Sequence, residues 1–457
     1  MKIVIVGAGI GGLATALSLE AAGFRDVTVV ERARELRPLG VGMNLLPHAV
    51  RELTELGLVD EVAAIGTAPA RLSYFTRFGQ PVWSEPRGLE AGYHWPQLSV
   101  HRGEFQLLLA DEVRRRLGAD AIRLGWRATG VEHGVAGSDG GGVVERARFT
   151  DAAGDELVVD ADVVVGADGI HSALRAQAHP AEGAPLWNRL LLWRGTALAP
   201  TFLDGRTMIM AGDAEQKFVA YPLVASGSDD GMTRLNFIAE RRAPAGVKES
   251  ADWNRAVDPA PIAELFADWR FDWLDVPGVI VAADEILEYP MVDRDPLERW
   301  TVGRTTLLGD AAHALYPNGS NGASQAILDA RALAFHLAAA EAAAAGTAAA
   351  DTVASGTATA GTATTGTAAS GIDAALAAYE ADRRPVTTRL NAMTRQLGPE
   401  RVMQLAYERA PQGFADVHDV IPEAELREIA EAYKVAAGFH ADLLNERSSL
   451  TPPAVRA

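Results

Sequence analysis

The chain has 457 residues, more than one hydrophobic core sustains, so at least two structural units are expected. Its 42 basic and 60 acidic residues give a formal charge of −18, which argues against a nucleic-acid or anionic-membrane surface. There is no cysteine, which excludes disulfides, thiolate catalysis, iron–sulfur clusters and cysteine-linked cofactors.

In chain order, Ile3-Val4-Ile5-Val6 reads as a short buried parallel strand. Gly7, Gly9 and Gly12, with Gly11 among them, follow with dinucleotide-fold spacing. One glycine makes the tight turn, one admits a pyrophosphate to the backbone, and one lets helix pack on strand. Leu13 to Ala22 reads as the helix, ended by Gly23, and its N–H groups would face the phosphates. Val27 to Val30 is the second strand, closing on Glu31 and Arg32. A carboxylate at Glu31 accepts from both ribose hydroxyls and repels a 2′-phosphate. This unit by itself leaves FAD and NAD both open.

Two further apolar strands end in an aspartate. Asp162 to Val165 runs into Gly166-Ala167-Asp168-Gly169, and Thr306-Leu307-Leu308 runs into Gly309-Asp310. Open α/β sheets bind ligands at such carboxyl ends. Past Pro317, Gly319, Asn321 and Gly322 a helix is expected from about Ala323 to His336. Its positive end suits the anion of a reduced flavin, an element that an NAD-only dehydrogenase does not need. From Ala338 to Ser370 the composition is almost entirely Ala, Gly and Thr, so a flexible surface insert is expected there. Ile372 to Asp382 resumes a helical pattern that should end at Arg383-Arg384-Pro385. No run of about 18 to 20 apolar residues suggests a membrane span, and the first apolar run lacks a cleavable signal pattern. A cytoplasmic protein is therefore expected.

The three motifs in this order resemble the class A FAD-dependent aromatic monooxygenases. The likeness is strongest to their phenazine hydroxylase branch, typified by 5-methylphenazine-1-carboxylate 1-monooxygenase. Further matching stretches are Arg37-Pro38-Leu39-Gly40-Val41-Gly42, His101-Arg102-Gly103-Glu104, Trp193-Arg194-Gly195 and Tyr289-Pro290-Met291-Val292-Asp293. The likeness runs from residue 1 to about 390, apart from the insert.

The resemblance implies an α/β fold like that of 4-hydroxybenzoate hydroxylase. A Rossmann-like FAD-binding domain (1–73, 102–180 and 285–340) would interleave with a sheet-rich substrate domain (74–101 and 181–284). The insert (338–370) and a C-terminal helical region (372–457) would follow. It also implies non-covalent FAD, NADH or NADPH as transient reductant, O2, and a small aromatic substrate hydroxylated through a C4a-hydroperoxyflavin, with or without loss of a carboxyl group. A flavin oxidase or reductase that moves hydride without inserting oxygen is the alternative. No nucleic acid, membrane or metal is implied, and the chain would act as a monomer or homodimer.

Carried over by motif, Glu31 is the ribose ligand, Arg102 reaches the phosphate or ribityl region, and Trp126 stands against the adenine. Asp168 is shared between flavin and nicotinamide, Asp310 takes the ribityl chain, and Pro317 with Gly319 through Ala323 line the ring. Ser324 departs from the asparagine common in relatives. The flavin carries the chemistry, so no catalytic side chain is named. Trp193 and Tyr221 are the pocket candidates. His48, His101, His171 and His313 read as structural groups. With no arginine cluster for a 2′-phosphate, NADH is the favoured donor.

Overall fold

The computed structural model describes residues 1–38, 40–138, 142–223, 231–247, 255–354 and 365–451. The apolar runs do form a five-stranded parallel sheet. Its spatial order is Thr305–Leu307, Val163–Gly166, Lys2–Val6, Asp26–Glu31 and Ile122–Leu124. Chain order reverses between Lys2–Val6 and Val163–Gly166, so the first glycine turn sits at the switch point where such sheets open a crevice. Helices Ile10–Ala21, Arg102–Leu117 and Gly322–Ala354 pack on this sheet, and Ile3, Leu13, Leu17, Phe105 and Leu333 are fully buried between the layers.

A second sheet has eight strands. In spatial order they are Arg255–Val257, Ala283–Asp293, Leu186–Pro200, Met232–Arg242, Gln216–Pro222, Thr207–Gly212, Arg71–Phe75 and Pro81–Pro86. Both its faces are covered. On one, Trp193, Phe218 and Phe237 pack on Phe266 and Trp269 beside helices Pro259–Leu265 and Val276–Val281. On the other, Leu192, Val219, Tyr221 and Ile238 meet Val402, Met403 and Leu426 from the C-terminal helices.

Three expected boundaries move. Ala283–Asp293 and Arg71–Phe75 are strands of the large sheet, so the segments assigned to the nucleotide unit begin later than 285 and end before 73. Conversely, Leu98–His101 pairs with Gly42–Leu45 and buries Leu98 and Val100 in the nucleotide-side core. Strands Arg127–Ala136, Val143–Thr150 and Glu156–Ala161 form an antiparallel meander that lies in the chain between Ile122–Leu124 and Val163–Gly166.

Helical structure enters the expected insert from both ends. Helix Gly322–Ala354 continues well past Ala338 and a new helix begins at Thr365, because alanine, the best helix former, outweighs scattered Gly and Thr. Residues 355–364 lie outside the described part. Nor does Pro385 end its helix, which runs from Thr365 to Arg395. Arg383 is anchored to Asp329 and Gln325, and Thr387 donates to the carbonyls of Arg383 and Arg384. Arg383 before the proline and Asn391 after it, which donates to Asp293 (3.3 Å) and to the Arg294 carbonyl (3.1 Å), hold the axis where local preference would break it. Among the described residues no helix is long and apolar enough to cross a membrane.

Candidate active site

The glycine turn is shaped by contacts that only glycine survives. Gly7 has φ +109°, and a Cβ there would stand 2.3 Å from the Ala167 carbonyl oxygen. A Cβ on Gly12 would meet the Gly7 carbonyl oxygen at 1.9 Å, which fixes how closely helix approaches strand. Gly9 is different: nothing lies within 4 Å of its Cβ position, so the backbone is open to a ligand. Glu31 accepts from Ala8 N (2.9 Å) and Ala33 N (2.8 Å), tying the second strand to that turn. Trp126 N donates to the Glu31 carbonyl (3.0 Å), so Trp126 lies beside the proposed ribose ligand, and Arg32 is exposed next to it.

A cleft of about 350 Å3 opens between the carboxyl edge of the parallel sheet and the large sheet. It brings together Gly9, Gly11, Arg102, Asp310, Pro317, Asn321, Gly322 and Ala323 from the expected set, with Tyr221 across from them. Helix Gly322–Ala354 starts at its wall, and no atom fills the space where a Gly322 side chain would be. Its first N–H groups have no partner within the helix and present partial positive charge to whatever sits there. Asp310 also faces the cleft. Enclosure by protein pushes its carboxyl up, with His313 and Arg102 acting against the rise. Arg102, opening helix Arg102–Leu117, makes no ion pair among the described residues. Asp168 accepts from Ala173 N (2.7 Å) through one oxygen and keeps the other buried without a partner, and burial raises its carboxyl. An open glycine turn, a free guanidinium, a helix start and an unpaired carboxylate oxygen fit an extended dinucleotide with a flavin ring at the helix end.

Other expected residues serve the frame. Gly319 has φ +80° and turns toward Tyr433, whose hydroxyl would be 2.2 Å from a Cβ. Asn321 is buried, accepting from Gln325 (3.0 Å) and donating to the Tyr433 hydroxyl (3.4 Å). Ser324 turns back to accept from Leu46 N (3.1 Å), so its departure from asparagine serves a loop tether. His313 donates to Asp329 (2.6 Å), which also accepts from Gly309 N (3.0 Å) and Arg383 (2.8 Å). Although burial opposes ionisation, His313 and Arg383 hold the Asp329 carboxyl down to about 2, and the group braces the Gly309-Asp310 turn. His48 stacks on Phe439 at 5.2 Å, and burial drops its pKa to about 3. His101 caps its helix by accepting from Glu104 N (3.4 Å).

Trp193 is not in the cleft. Strand residues alternate between faces, and Trp193 lies with the aromatic core on the far side, donating to Glu288 (2.8 Å). Its neighbour Arg194 points into the cleft instead, on the same face as Tyr221 and Ile238. One amino group of Arg194 donates to the Gly42 carbonyl (3.0 Å), while its Nε is buried with no partner. Burial raises the Tyr221 phenol against the pull of Arg194. Met43, Asn44, Glu240, Tyr316 and Glu400 also line the cleft without having been singled out. Alternation shows only that Trp193 and Arg194 face opposite ways; pairing through Met232–Arg242 decides that Arg194 shares the face of Tyr221.

The FAD binding domain family matches residues 1–191 and 275–368. The chain is 47% identical over 337 residues to the phenazine 1,6-dicarboxylic acid hydroxylase PhzS of Lysobacter antibioticus, covering 73% of this chain and 82% of that one. It is 32% identical to the 3-amino-4-hydroxybenzoate 2-monooxygenase of Streptomyces cremeus, covering 73% and 77%. Among solved structures, HpxO of Klebsiella pneumoniae complexed with FAD and uric acid has the same fold, with TM-score 0.65, 22% identity, and 99% and 97% of the two chains covered. With the dinucleotide turn at the sheet's switch point and the helix start facing the cleft, the conclusion is direct: the chain belongs to the FAD-dependent aromatic hydroxylases.

Proposed function

We propose that this chain hydroxylates a planar aromatic acid of the phenazine or hydroxybenzoate type, with NADH as electron donor. Arg194 carries this reading. Its guanidinium faces the cleft from a sheet strand, and its buried Nε lacks an acceptor. A ring carboxylate supplies that acceptor in a charge-assisted hydrogen bond, while Tyr221 and Met43 contact the ring. The named substrates of the two curated relatives are aromatic acids.

FAD, when bound, would supply the electrophilic oxygen, with the nicotinamide as its reductant and O2 as co-substrate. The protein's part is to position and to exclude water. Glu31, with Arg32 and Trp126 beside it, holds the adenosine end. Gly9 and Arg102 take the pyrophosphate, Asp310 the ribityl chain, and the Gly322 helix start the negative charge of the reduced ring. Asp168 serves the nicotinamide. The acidic surface, formal charge −18, suits a protein free in the cytoplasm.

The test is NADH oxidation by the FAD-loaded protein with phenazine-1,6-dicarboxylate or phenazine-1-carboxylate under ¹⁸O2. A stimulated rate with label in the organic product supports the proposal. NADH oxidation yielding unlabelled product overturns hydroxylation. Equal stimulation by phenazine lacking any carboxyl group overturns the role of Arg194.

A further inference from the structure

Behind the cleft lies an ion cluster to which none of the roles above assigns a function. Lys217 and Glu240 face each other across neighbouring strands, with Nζ 3.0 Å from the Glu240 carboxylate. Glu400, in the turn Gly398–Glu400, pairs with the same ammonium and accepts from Asn318 (3.0 Å). All three are buried: Lys217 is 6% exposed, Glu240 3% and Glu400 4%. One ammonium is in direct contact with two carboxylates, and Arg194 acts on Glu240 only from the cleft side, so low-dielectric surroundings favour a proton within the cluster. Burial, with Glu400 close by, raises the Glu240 carboxyl, consistent with its holding that proton.

The position of the cluster gives it a use. Glu240, Glu400 and Tyr316 line the ring cleft and also line a second cavity of about 250 Å3, which contains Lys217. That cavity in turn shares Arg395 and Leu397 with an open surface groove between Gly398 and Ile429. The ring cleft and the second cavity share a wall made of groups that exchange protons. The other charged and titratable groups facing the cluster are accounted for. Arg194 lies on the cleft side, where it acts on Glu240. Arg242 pairs with Glu215, Asp213 with Arg77, and Arg395 with Asp293. Tyr316 is pushed up to about 12 by burial and Asp293, and burial also keeps the Tyr74 and Tyr433 phenols neutral.

We propose that Glu240, Lys217 and Glu400 form a proton relay from the ring cleft to the second cavity and the surface groove. This rests on the hydroxylase reading. When oxygen is inserted at an aromatic C–H, the carbon carries both the new oxygen and its hydrogen. Rearomatisation breaks that C–H bond, returns its electron pair to the ring and releases one proton. The Glu240 carboxylate takes it, having passed its resident proton to Lys217 as Lys217 gives one to Glu400. Glu400 then releases a proton to water in the second cavity, and the cluster is restored.

The experiment has two arms, both on full-length FAD-loaded protein. The first needs no substrate: the infrared C=O stretch of a protonated buried carboxyl is sought near neutral pH. Because burial also raises the Asp168 and Asp310 carboxyls, the band is read in the parent-minus-Glu240→Gln difference spectrum, where it is expected as a loss in the variant. A difference spectrum with no protonated-carboxyl band overturns the relay whatever the substrate proves to be. The second arm uses phenazine-1,6-dicarboxylate and the variants Glu400→Gln, Lys217→Met and Glu240→Asp. With FAD content unchanged, the first two should lower kcat about tenfold without raising KM and enlarge the solvent isotope effect, while Glu240→Asp retains most of the rate. An isotope effect that stays at the parent value in folded variants overturns it. Should the parent not hydroxylate the probe, the hydroxylase reading fails for that substrate, and the infrared arm alone decides the relay.

Discussion

The two walls of the cleft are built by opposite means. On the nucleotide side the backbone makes the site: glycines, strand ends and a helix start are placed by close approach, and side chains mostly brace them. On the large-sheet side the backbone is a plain ladder, and the site depends on which alternate residues face inward. The first kind of wall tolerates no added atoms. The second tolerates them but depends on parity, so exchanging neighbours such as Trp193 and Arg194 changes everything about what the cleft offers.

The largest effect is expected where the first wall is tightest. Gly12→Val sets a Cβ 1.9 Å from the Gly7 carbonyl oxygen, and relief requires moving helix from strand, a cost of about 3 kcal/mol or more. Thermal denaturation and bound-flavin absorbance should both collapse. Gly9→Ala, with open space at its Cβ, should keep the fold and lose only FAD affinity. If both variants behave alike, the distinction between bracing and contacting glycines is wrong.

On the second wall, Arg194→Met should weaken aromatic-acid binding by about 2–3 kcal/mol, the usual worth of a charge-assisted hydrogen bond, with FAD content unchanged. Trp193→Phe removes the hydrogen bond to Glu288 and part of the packing on the far face, and should leave ligand affinity within about twofold. Fluorescence titration with phenazine-1-carboxylate reads both, and an affinity loss confined to Trp193→Phe would reverse the parity assignment.

A pH effect probes the frame beneath the first wall. Burial lowers His48 from 6.5 to about 3, so the folded protein holds it neutral where the unfolded chain binds a proton. Its contribution is full above the unfolded pKa and is lost as pH falls toward the folded one. Near about pH 5 the loss should reach about 2 kcal/mol. Denaturant titrations from neutral to that pH should show the decline, and His48→Leu should flatten it. The smallest effect is expected at residues 355–364: replacing them with a shorter Gly/Ser link should change stability by less than about 1 kcal/mol, since closure entropy varies slowly with length.

How much could be read in advance follows the same division. Gly7, Gly9, Gly12, Glu31, Asp168 and Asp310 were legible because each motif is contiguous and its spacing reflects local backbone geometry. The large sheet was legible only as strand-like stretches. Arg194 stands in a quoted motif yet was passed over for its aromatic neighbour, because one residue of register decides the face and register is set by partners far along the chain. Pro385 misled for a related reason: its local preference is real, but Arg383 bonds to a helix more than fifty residues earlier.

The sequence by itself determined the dinucleotide unit, its place at the head of a parallel sheet, the flavin-type helix start and the family, because short-range spacing and glycine sterics specify them. Tertiary structure alone decided which residues of the large sheet face the ring, where the two units exchange strands, and that Lys217, Glu240 and Glu400 come together. Those are contacts between residues as far as 183 positions apart, and their geometry is set by strand pairing and core packing that no local pattern encodes.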